Sequence, residues 1–293
     1  MTVHLLANPK SGRALRSSAI GQETLTRILA DQHVIELTRD SAVASSTALA
    51  NAVGAGAVER LIVAGGDGLV HLAIQQLAQT GIPMSIVPVG TGNDFAMGVQ
   101  RASGPMSPAG TIEVDLLRVT TADGAQRWVA SIVIAGFPAA VNKRANAIAL
   151  PLGPALYTVA AVAELPSYRR QEIAYELTGS DETISRMTDT GMVAIGNSCF
   201  FGGGMLACPD AIPDDGLLHF TSIEGVGRIG ILQHIQRQKG GTANWDEVQR
   251  HSGTEITLTT PDVELWGDGE YLGQTPATIE VVPKALMLMQ TVA

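Results

Sequence analysis

The chain has 293 residues, 45% of them apolar and only 16% charged, a composition that folds and is the reverse of a disordered one. Nineteen Lys and Arg stand against 28 Asp and Glu, a formal net charge of −9, which argues against nucleic-acid binding because a duplex reader needs a basic face. Two cysteines, Cys199 and Cys208, cannot staple a chain of this length and are too few for a zinc site alone, so the expected compartment is a reducing cytoplasm.

No signal peptide is expected, since Met1–Ala7 runs into Asn8-Pro9-Lys10 without a basic segment before it. The stretch Ala145–Ala163 has nineteen residues without a charge, close to the length of a membrane span. Pro151, Gly153 and Pro154 interrupt it, so a loop followed by a buried helix is expected and no transmembrane segment.

In chain order, Val3–Ala7 reads as a strand, Arg13–Ala30 as a helix on Leu15, Ile20, Leu25 and Leu29, Val34–Leu37 as a strand and Ser41–Val53 as a helix. Leu61–Ala64 is a strand of the type buried on both faces, Leu69–Ala78 a helix and Ser85–Val87 a strand. This alternation predicts a doubly wound parallel sheet over residues 1–110. Ser103–Gly110 reads as a linker. Beyond it, strands are predicted at Ile112–Val119, Trp128–Ile134, Glu172–Leu177, Gly191–Gly196, Leu217–Ile223, Glu255–Thr260, Val263–Trp266 and Thr278–Val282, with helices only near 155–165 and 226–239. Residues 111–293 are therefore expected to form a mainly β domain, an antiparallel sandwich whose last residues pack back on the first domain.

Three glycine-rich turns fall at strand ends of the first domain: Asn8-Pro9-Lys10-Ser11-Gly12, Gly65-Gly66-Asp67-Gly68 and Pro88-Val89-Gly90-Thr91-Gly92-Asn93-Asp94. Ligands of open α/β sheets bind outside the carboxyl ends of the strands, so the turns gather in one crevice. Glycine there lets backbone N–H groups approach an anion, and a helix N-terminus adds favourable charge. One such turn is merely a tight corner; three together describe a phosphate cradle. Neither the dinucleotide nor the Walker glycine pattern stands at these strand ends. Asp67 amid such amides needs a Mg²⁺ or a hydroxyl as partner, or it caps the following helix. Pro213-Asp214-Asp215-Gly216-Leu217 and Trp266-Gly267-Asp268-Gly269-Glu270 read singly as hairpin turns, and Gly202-Gly203-Gly204 as a loop that admits close backbone approach.

Taken in order, Asn8–Gly12, Gly65–Gly68, Pro88–Ala96, Asn197–Met205, Pro209–Leu218 and Gly267–Glu270 make the chain resemble the diacylglycerol kinase catalytic-domain family, in particular the soluble bacterial lipid kinases, with sphingosine and ceramide kinases as more distant kin. The Gly-Gly-Asp-Gly element is shared with NAD kinases and phosphofructokinases; the ordered set belongs to the lipid-kinase branch. The resemblance implies ATP phosphates against Asn8, Pro9, Lys10, Ser11, Gly12, Gly65, Gly66, Asp67, Gly68, Leu69, Val70 and Thr91, with Thr38 as a further nucleotide contact. It implies a structural Mg²⁺ on the Asp215 carboxylate and the carbonyls of Ile212 and Leu217, with Asp115 behind them, and a general base at Asp268 or Glu270. The chain departs from the family pattern at Leu69, Leu72, Ser131 and Pro138, while Leu69-x-His71 is similar to the sphingosine kinases.

The expected reaction is phosphoryl transfer from Mg·ATP to a lipid hydroxyl, by a cytoplasmic protein that meets the inner membrane face peripherally, a homodimer being left open. A patch of Lys143, Arg144, Arg169, Arg170, Arg228, Arg237 and Lys239 would serve that contact unless these are ordinary solvated charges. The rival readings are a soluble-substrate kinase of the NAD-kinase type and a nucleotide-binding regulator without catalysis.

Overall fold

Four apolar runs in the first hundred residues become four parallel strands. β1 (Thr2–Ala7), β2 (His33–Glu36), β3 (Leu61–Gly65) and β4 (Met84–Pro88) lie in the order β4-β3-β1-β2. β3 is buried along its whole length, as a central parallel strand must be. α1 (Ala42–Gly54) starts at Ser41, whose hydroxyl accepts the Ala44 N–H. α2 (Asp67–Leu77) leaves β3 directly and buries Val70, Ala73, Ile74 and Leu77. The computed structural model describes residues 2–7, 26, 29–30, 32–103, 110–148, 156–179, 182–238 and 245–289. The helix expected over Arg13–Ala30 and the glycine turn Asn8–Gly12 fall almost wholly outside the described residues, as does the linker between its ends, Ser103 and Gly110.

After α3 (Asp94–Ser103) the chain turns to strands: β5 (Thr111–Thr121), β6 (Gln126–Val129) and β7 (Ile132–Gly136), then α4 (Phe137–Ala147) and α5 (Leu156–Glu164). β8 (Gln171–Thr178), β9 (Thr183–Gly196), β10 (Phe200–Phe201), β11 (Met205–Leu206) and β12 (Leu218–Glu224) follow, then α6 (Arg228–Gln238). The chain closes with β13 (Val248–Gly253), β14 (Glu255–Leu258), β15 (Glu264–Gly267), β16 (Glu270–Gln274) and β17 (Ala277–Met289). Strands β16-β15-β7-β9-β8-β14-β17 neighbour one another antiparallel, β12 bridges β9 and β13, and β5 bridges β17 and β6. Their inner faces bury Tyr175, Phe220, Leu177, Ile195 and Leu265 in one core. The last strand joins the halves: Leu288 of β17 pairs parallel with Met84 of β4, and Leu286 and Leu288 pack in the core under α2. The mixed architecture is the expected one, a parallel α/β part followed by an antiparallel β part.

The local differences have local causes. α3 and α4 are not among the expected helices: Gly98 in the middle of α3 and Pro138 with Asn142 in α4 read as breakers, yet proline is at home in a first helical turn. The single strand predicted over Trp128–Ile134 is two strands, broken at Ala130–Ser131. β13 and β16 were not expected, and the strand predicted at Thr278–Val282 runs on to Met289. Gly136, between β7 and α4, has φ 79° and ψ −140°, and a Cβ there would stand 2.9 Å from the Gly191 carbonyl oxygen. Gly136→Ala is expected to lower the unfolding free energy by about 2–4 kcal/mol in urea titration. A loss below about 0.5 kcal/mol would contradict this backbone geometry.

Candidate active site

The Gly-rich turns after β3 and β4 meet backbone to backbone. A Cβ on Gly90 would stand 2.4 Å from the Cα of Gly66, and one on Gly66 would stand 3.0 Å from the Cα of Gly90, so neither position admits a side chain. Asn93 closes the second turn: its Oδ1 accepts the Gly90 N–H and its Nδ2 donates to the Gly90 carbonyl, both at 3.0 Å. Beside the first turn α2 begins, and the N–H groups of Asp67 and Gly68 find no partner within the helix. Leu69 and Val70 both donate their N–H to the Gly66 carbonyl and turn their side chains to the core. Gly65 is buried, Thr91 lines the cleft, and the Thr38 hydroxyl oxygen accepts the Ala7 N–H at 2.8 Å. The predicted contacts Asn8, Pro9, Lys10, Ser11 and Gly12 lie outside the described residues.

A cavity of about 760 Å³ opens from these turns toward α4 and α5. At its turn end stand three carboxylates, each held by backbone N–H groups of another segment. Asp67 Oδ1 accepts from Phe95 N at 3.2 Å. Asp94 accepts from Gly203 N at 2.9 Å and Gly204 N at 2.7 Å, which gives the triple-glycine loop its purpose, since Gly202, Gly203 and Gly204 all have positive φ. Asp268 accepts from Ala130 N at 2.7 Å and Ser131 N at 2.8 Å, so the break between β6 and β7 frees two donors for one carboxylate. Asp268 (φ 50°) and Gly269 (φ 92°) form the two-residue turn of the β15–β16 hairpin, the backbone of an Asp-Gly type I′ turn. Turn and site readings of this pair are both realised. Glu270 is exposed and reaches over the first turn of α2, its Oε1 3.8 Å from where a Gly68 Cβ would be.

Burial dominates the electrostatics. It raises the pKa of Asp67, the charge of Asp268 adding to it while backbone donors oppose. It lifts Asp94 to about 6, against its Gly203 and Gly204 donors and with help from the charges of Asp67 and Asp268. The phenol of half-buried Tyr157, on α5, is raised first by burial and then by Asp94, Asp67 and Glu270, so it faces the acidic end. The cavity is also lined by Ile132, Ile134, Val141, Leu156, Val162 and Leu232, the first four of which pack in one apolar cluster. Within that wall Asn142 Nδ2 and Trp266 Nε1 are buried donors with no partner among the described residues.

The second acidic turn lies apart from the cavity. Asp215 Oδ1 accepts Leu217 N at 2.9 Å and Oδ2 lies 3.0 Å from His219 Nε2. Asp115, 2% exposed, accepts Gly216 N and Lys284 N, and its own N–H donates to Pro213 O. Burial raises the pKa of Asp115, with Asp215 and Asp214 adding to it. Among the described residues no group of three or more His, Cys, Asp or Glu side chains is placed to hold a metal ion. Of the anticipated basic patch, Lys143 pairs with Glu264, Arg144 with Glu164 and Arg170 with Asp189, so these cations are locally compensated. Lys239 lies outside the described residues.

Asp67 and Asp268 thus meet in one cleft, while Asp115 and Asp215 meet elsewhere. Asp94 escaped the list of expected site residues although it closes the Gly-Thr-Gly-Asn-Asp string, the signal that could have found it. Tyr157 and Asn142 carry no motif, and nothing in the sequence marks them; Trp266 opens the acidic string that runs to Glu270, but its own role is not marked there.

Residues 2–121 match the diacylglycerol kinase catalytic domain, and residues 131–290 match the YegS C-terminal NAD kinase beta sandwich-like domain. The sequence is 31% identical to a diacylglycerol kinase of Mycobacterium tuberculosis over 98% of this chain and 94% of that one. It is 33% identical, over 77% of each chain, to the Stenotrophomonas maltophilia protein named "Probable lipid kinase YegS-like". The fold is similar to that of a diacylglycerol kinase from Bacillus anthracis, with a TM-score of 0.66 over 98% of this chain and 96% of that one; at 18% identity the likeness concerns the fold alone.

Because the pKa of Asp94 rises on folding from 3.8 to about 6, the native state keeps a proton that the unfolded chain has already released. This group therefore costs stability as pH rises from 4 to 6, by about 3 kcal/mol at about 1.4 kcal/mol per unit. The unfolding free energy of Asp94→Asn minus that of the native sequence is expected to grow by that amount between pH 4 and pH 7. A difference that does not vary with pH would remove burial as the cause.

Proposed function

The chain belongs to the diacylglycerol kinase catalytic-domain family and is a kinase, and from that premise we propose that it transfers the γ-phosphate of ATP to a hydroxyl group of a membrane lipid such as diacylglycerol. The observation that carries this reading is one cavity lined both by the glycine-rich turns with Asp67, Asp94 and Asp268 and by the apolar cluster of Ile132, Ile134, Val141 and Leu156. In this reading residues 1–110 hold the nucleotide and residues 111–293 the acceptor.

The triphosphate would lie against the N–H groups at the start of α2, the paired turns at Gly66 and Gly90, Thr91 and the Asn8–Gly12 segment, because oriented amides at a helix N-terminus stabilise phosphate. Thr38, whose hydroxyl oxygen is engaged, keeps its O–H to donate. Half-buried Asp67 and buried Asp94 are compatible with Mg²⁺, which takes one or two carboxylates together with substrate phosphates and water rather than an all-protein cage. When bound there, Mg²⁺ supplies charge neutralisation for the phosphates. Asp268 is the better base of the two candidates: three donors fix its carboxylate, whereas Glu270 is exposed. A base must be held within hydrogen-bond reach of the hydroxyl it deprotonates. The apolar lining suits an acyl chain. It continues to the surface at Val162, 57% exposed, with Val159 at 44% close by, so contact with a bilayer would be apolar rather than through the paired cations.

The loop Ile212–Leu217 would suit a structural Mg²⁺ by its donors, one carboxylate and two carbonyl oxygens, and by the charges of Asp214 and Asp215 that bear on Asp115. Its role would be to hold the loop to β5 through Asp115.

Transfer of label from [γ-³²P]ATP to a panel of lipids in mixed micelles tests the reaction. Asp67→Ala and Asp268→Asn are each expected to lower kcat by about 10²-fold or more in a folded protein, and Glu270→Gln by less. Normal turnover in a folded Asp67→Ala variant would overturn the phosphate site. In thermal melts, Mg²⁺ at ten times its Kd is expected to raise Tm by about 3 °C and to lose this effect in Asp215→Asn. An equal rise in that variant would remove the loop as a metal site.

A further inference from the structure

One turn beyond Asp67, α2 carries a histidine up against Asp268. His71 is 8% exposed, and its Nδ1 lies 3.3 Å from Asp268 Oδ2. A turn further on, Gln75 is clamped to the backbone of Trp128 by both ends of its amide. Nε2 donates to the Trp128 carbonyl at 2.8 Å, and Oε1 accepts the Trp128 N–H at 3.0 Å. The clamp settles the amide's orientation, because the flipped form would set donor against donor and acceptor against acceptor. The same Nε2 stands 3.4 Å from His71 Nε2. The two hydrogens of that –NH₂ group go to the Trp128 carbonyl and, at 3.2 Å, to the His71 carbonyl, so the tautomer is set from the other side of the ring: Nδ1 faces a carboxylate, which only accepts, and the proton of the neutral ring sits on Nδ1.

The hydrogen-bonding capacity of Asp268 is then divided unevenly. Oδ2 accepts from Ala130 N and from His71 Nδ1, while among the described residues Oδ1 accepts only from Ser131 N. A carboxylate oxygen has room for about two donors, which leaves the open lone pair on Oδ1. We propose that His71 is a positioning residue for the transfer step: by filling the second place on Oδ2 it makes Oδ1 the oxygen of Asp268 that meets the acceptor hydroxyl. This role rests on Asp268 being the proton acceptor. In the step itself the hydroxyl oxygen bonds to the γ-phosphorus and the bond from that phosphorus to the β,γ-bridging oxygen breaks. ADP leaves with the bond's electron pair, and the hydroxyl proton passes to Oδ1. His71 keeps its own proton throughout.

Two measurements on the full chain separate this role from its premise. Long-range ¹⁵N–¹H spectra of the free protein, with the His71 signals assigned by their loss in His71→Asn, are expected to report the Nδ1–H tautomer, and a mixture of tautomers in Asp268→Ala. A dominant Nε2–H form overturns the proposal whether or not phosphate is transferred. Transfer from ATP to 1,2-dioleoylglycerol in mixed micelles is the second measurement. His71→Leu is expected to lower kcat about 10- to 100-fold, with KM for ATP within about twofold. His71→Asn, whose Nδ2 stands where the Nδ1–H stood, is expected to recover most of the loss, and His71→Gln is not. Equal kcat for His71→Leu and the native sequence overturns the positioning role alone. A native protein that labels no lipid overturns the premise and this role with it, leaving the tautomer as a separate result.

Discussion

Three carboxylates brought together, Asp94 and the Asp268 side chain buried and Asp67 half-buried, are the constraint around which the rest of this protein is arranged. The charge of Asp268 bears on both Asp67 and Asp94, and that of Asp67 on Asp94. Burial without partners would cost each of them heavily. They are held because backbone N–H groups from other segments are turned toward them: Phe95 for Asp67, Gly203 and Gly204 for Asp94, Ala130 and Ser131 for Asp268. The price is paid in regular structure, as a strand broken at Ala130–Ser131 and a loop of three consecutive positive-φ glycines.

The same donors join the two halves. Asp94 opens α3, behind the parallel sheet, yet its partners lie between β10 and β11; Asp268 hangs from an antiparallel hairpin, yet it meets His71 on α2. β17 makes the connection continuous by pairing with β5 and, through Leu288, with β4. A cleft assembled from both sides in this way puts phosphate-compatible turns and an apolar wall around one volume, which is what transfer between a polar donor and an apolar acceptor requires.

Much of the architecture was legible from short-range signals. Runs such as Leu61–Ala64 read as buried parallel strands, and Asp268-Gly269 as a tight turn, because periodicity and turn chemistry act within a few residues. The glycines at 66 and 90 were legible as places of close approach, although not as each other's neighbour. α4 was illegible because Pro138 and Asn142 resemble a loop until the first-turn position of the proline is known. Gln75 was equally so, since a glutamine on an amphipathic helix reads as solvated until its clamp on Trp128 is seen.

The sequence by itself determined the succession of an α/β part by a β part, and the candidacy of Asp67 and Asp268, since each follows from residues adjacent in the chain. Only the tertiary structure decided what those carboxylates face. His71 and Asp268 are 197 residues apart, and Asp94 and Gly203 are 109 apart. Contacts at such separations are set by how the sheets pack, for which local pattern carries no information, and they decide which oxygen of a buried carboxylate is left free to act.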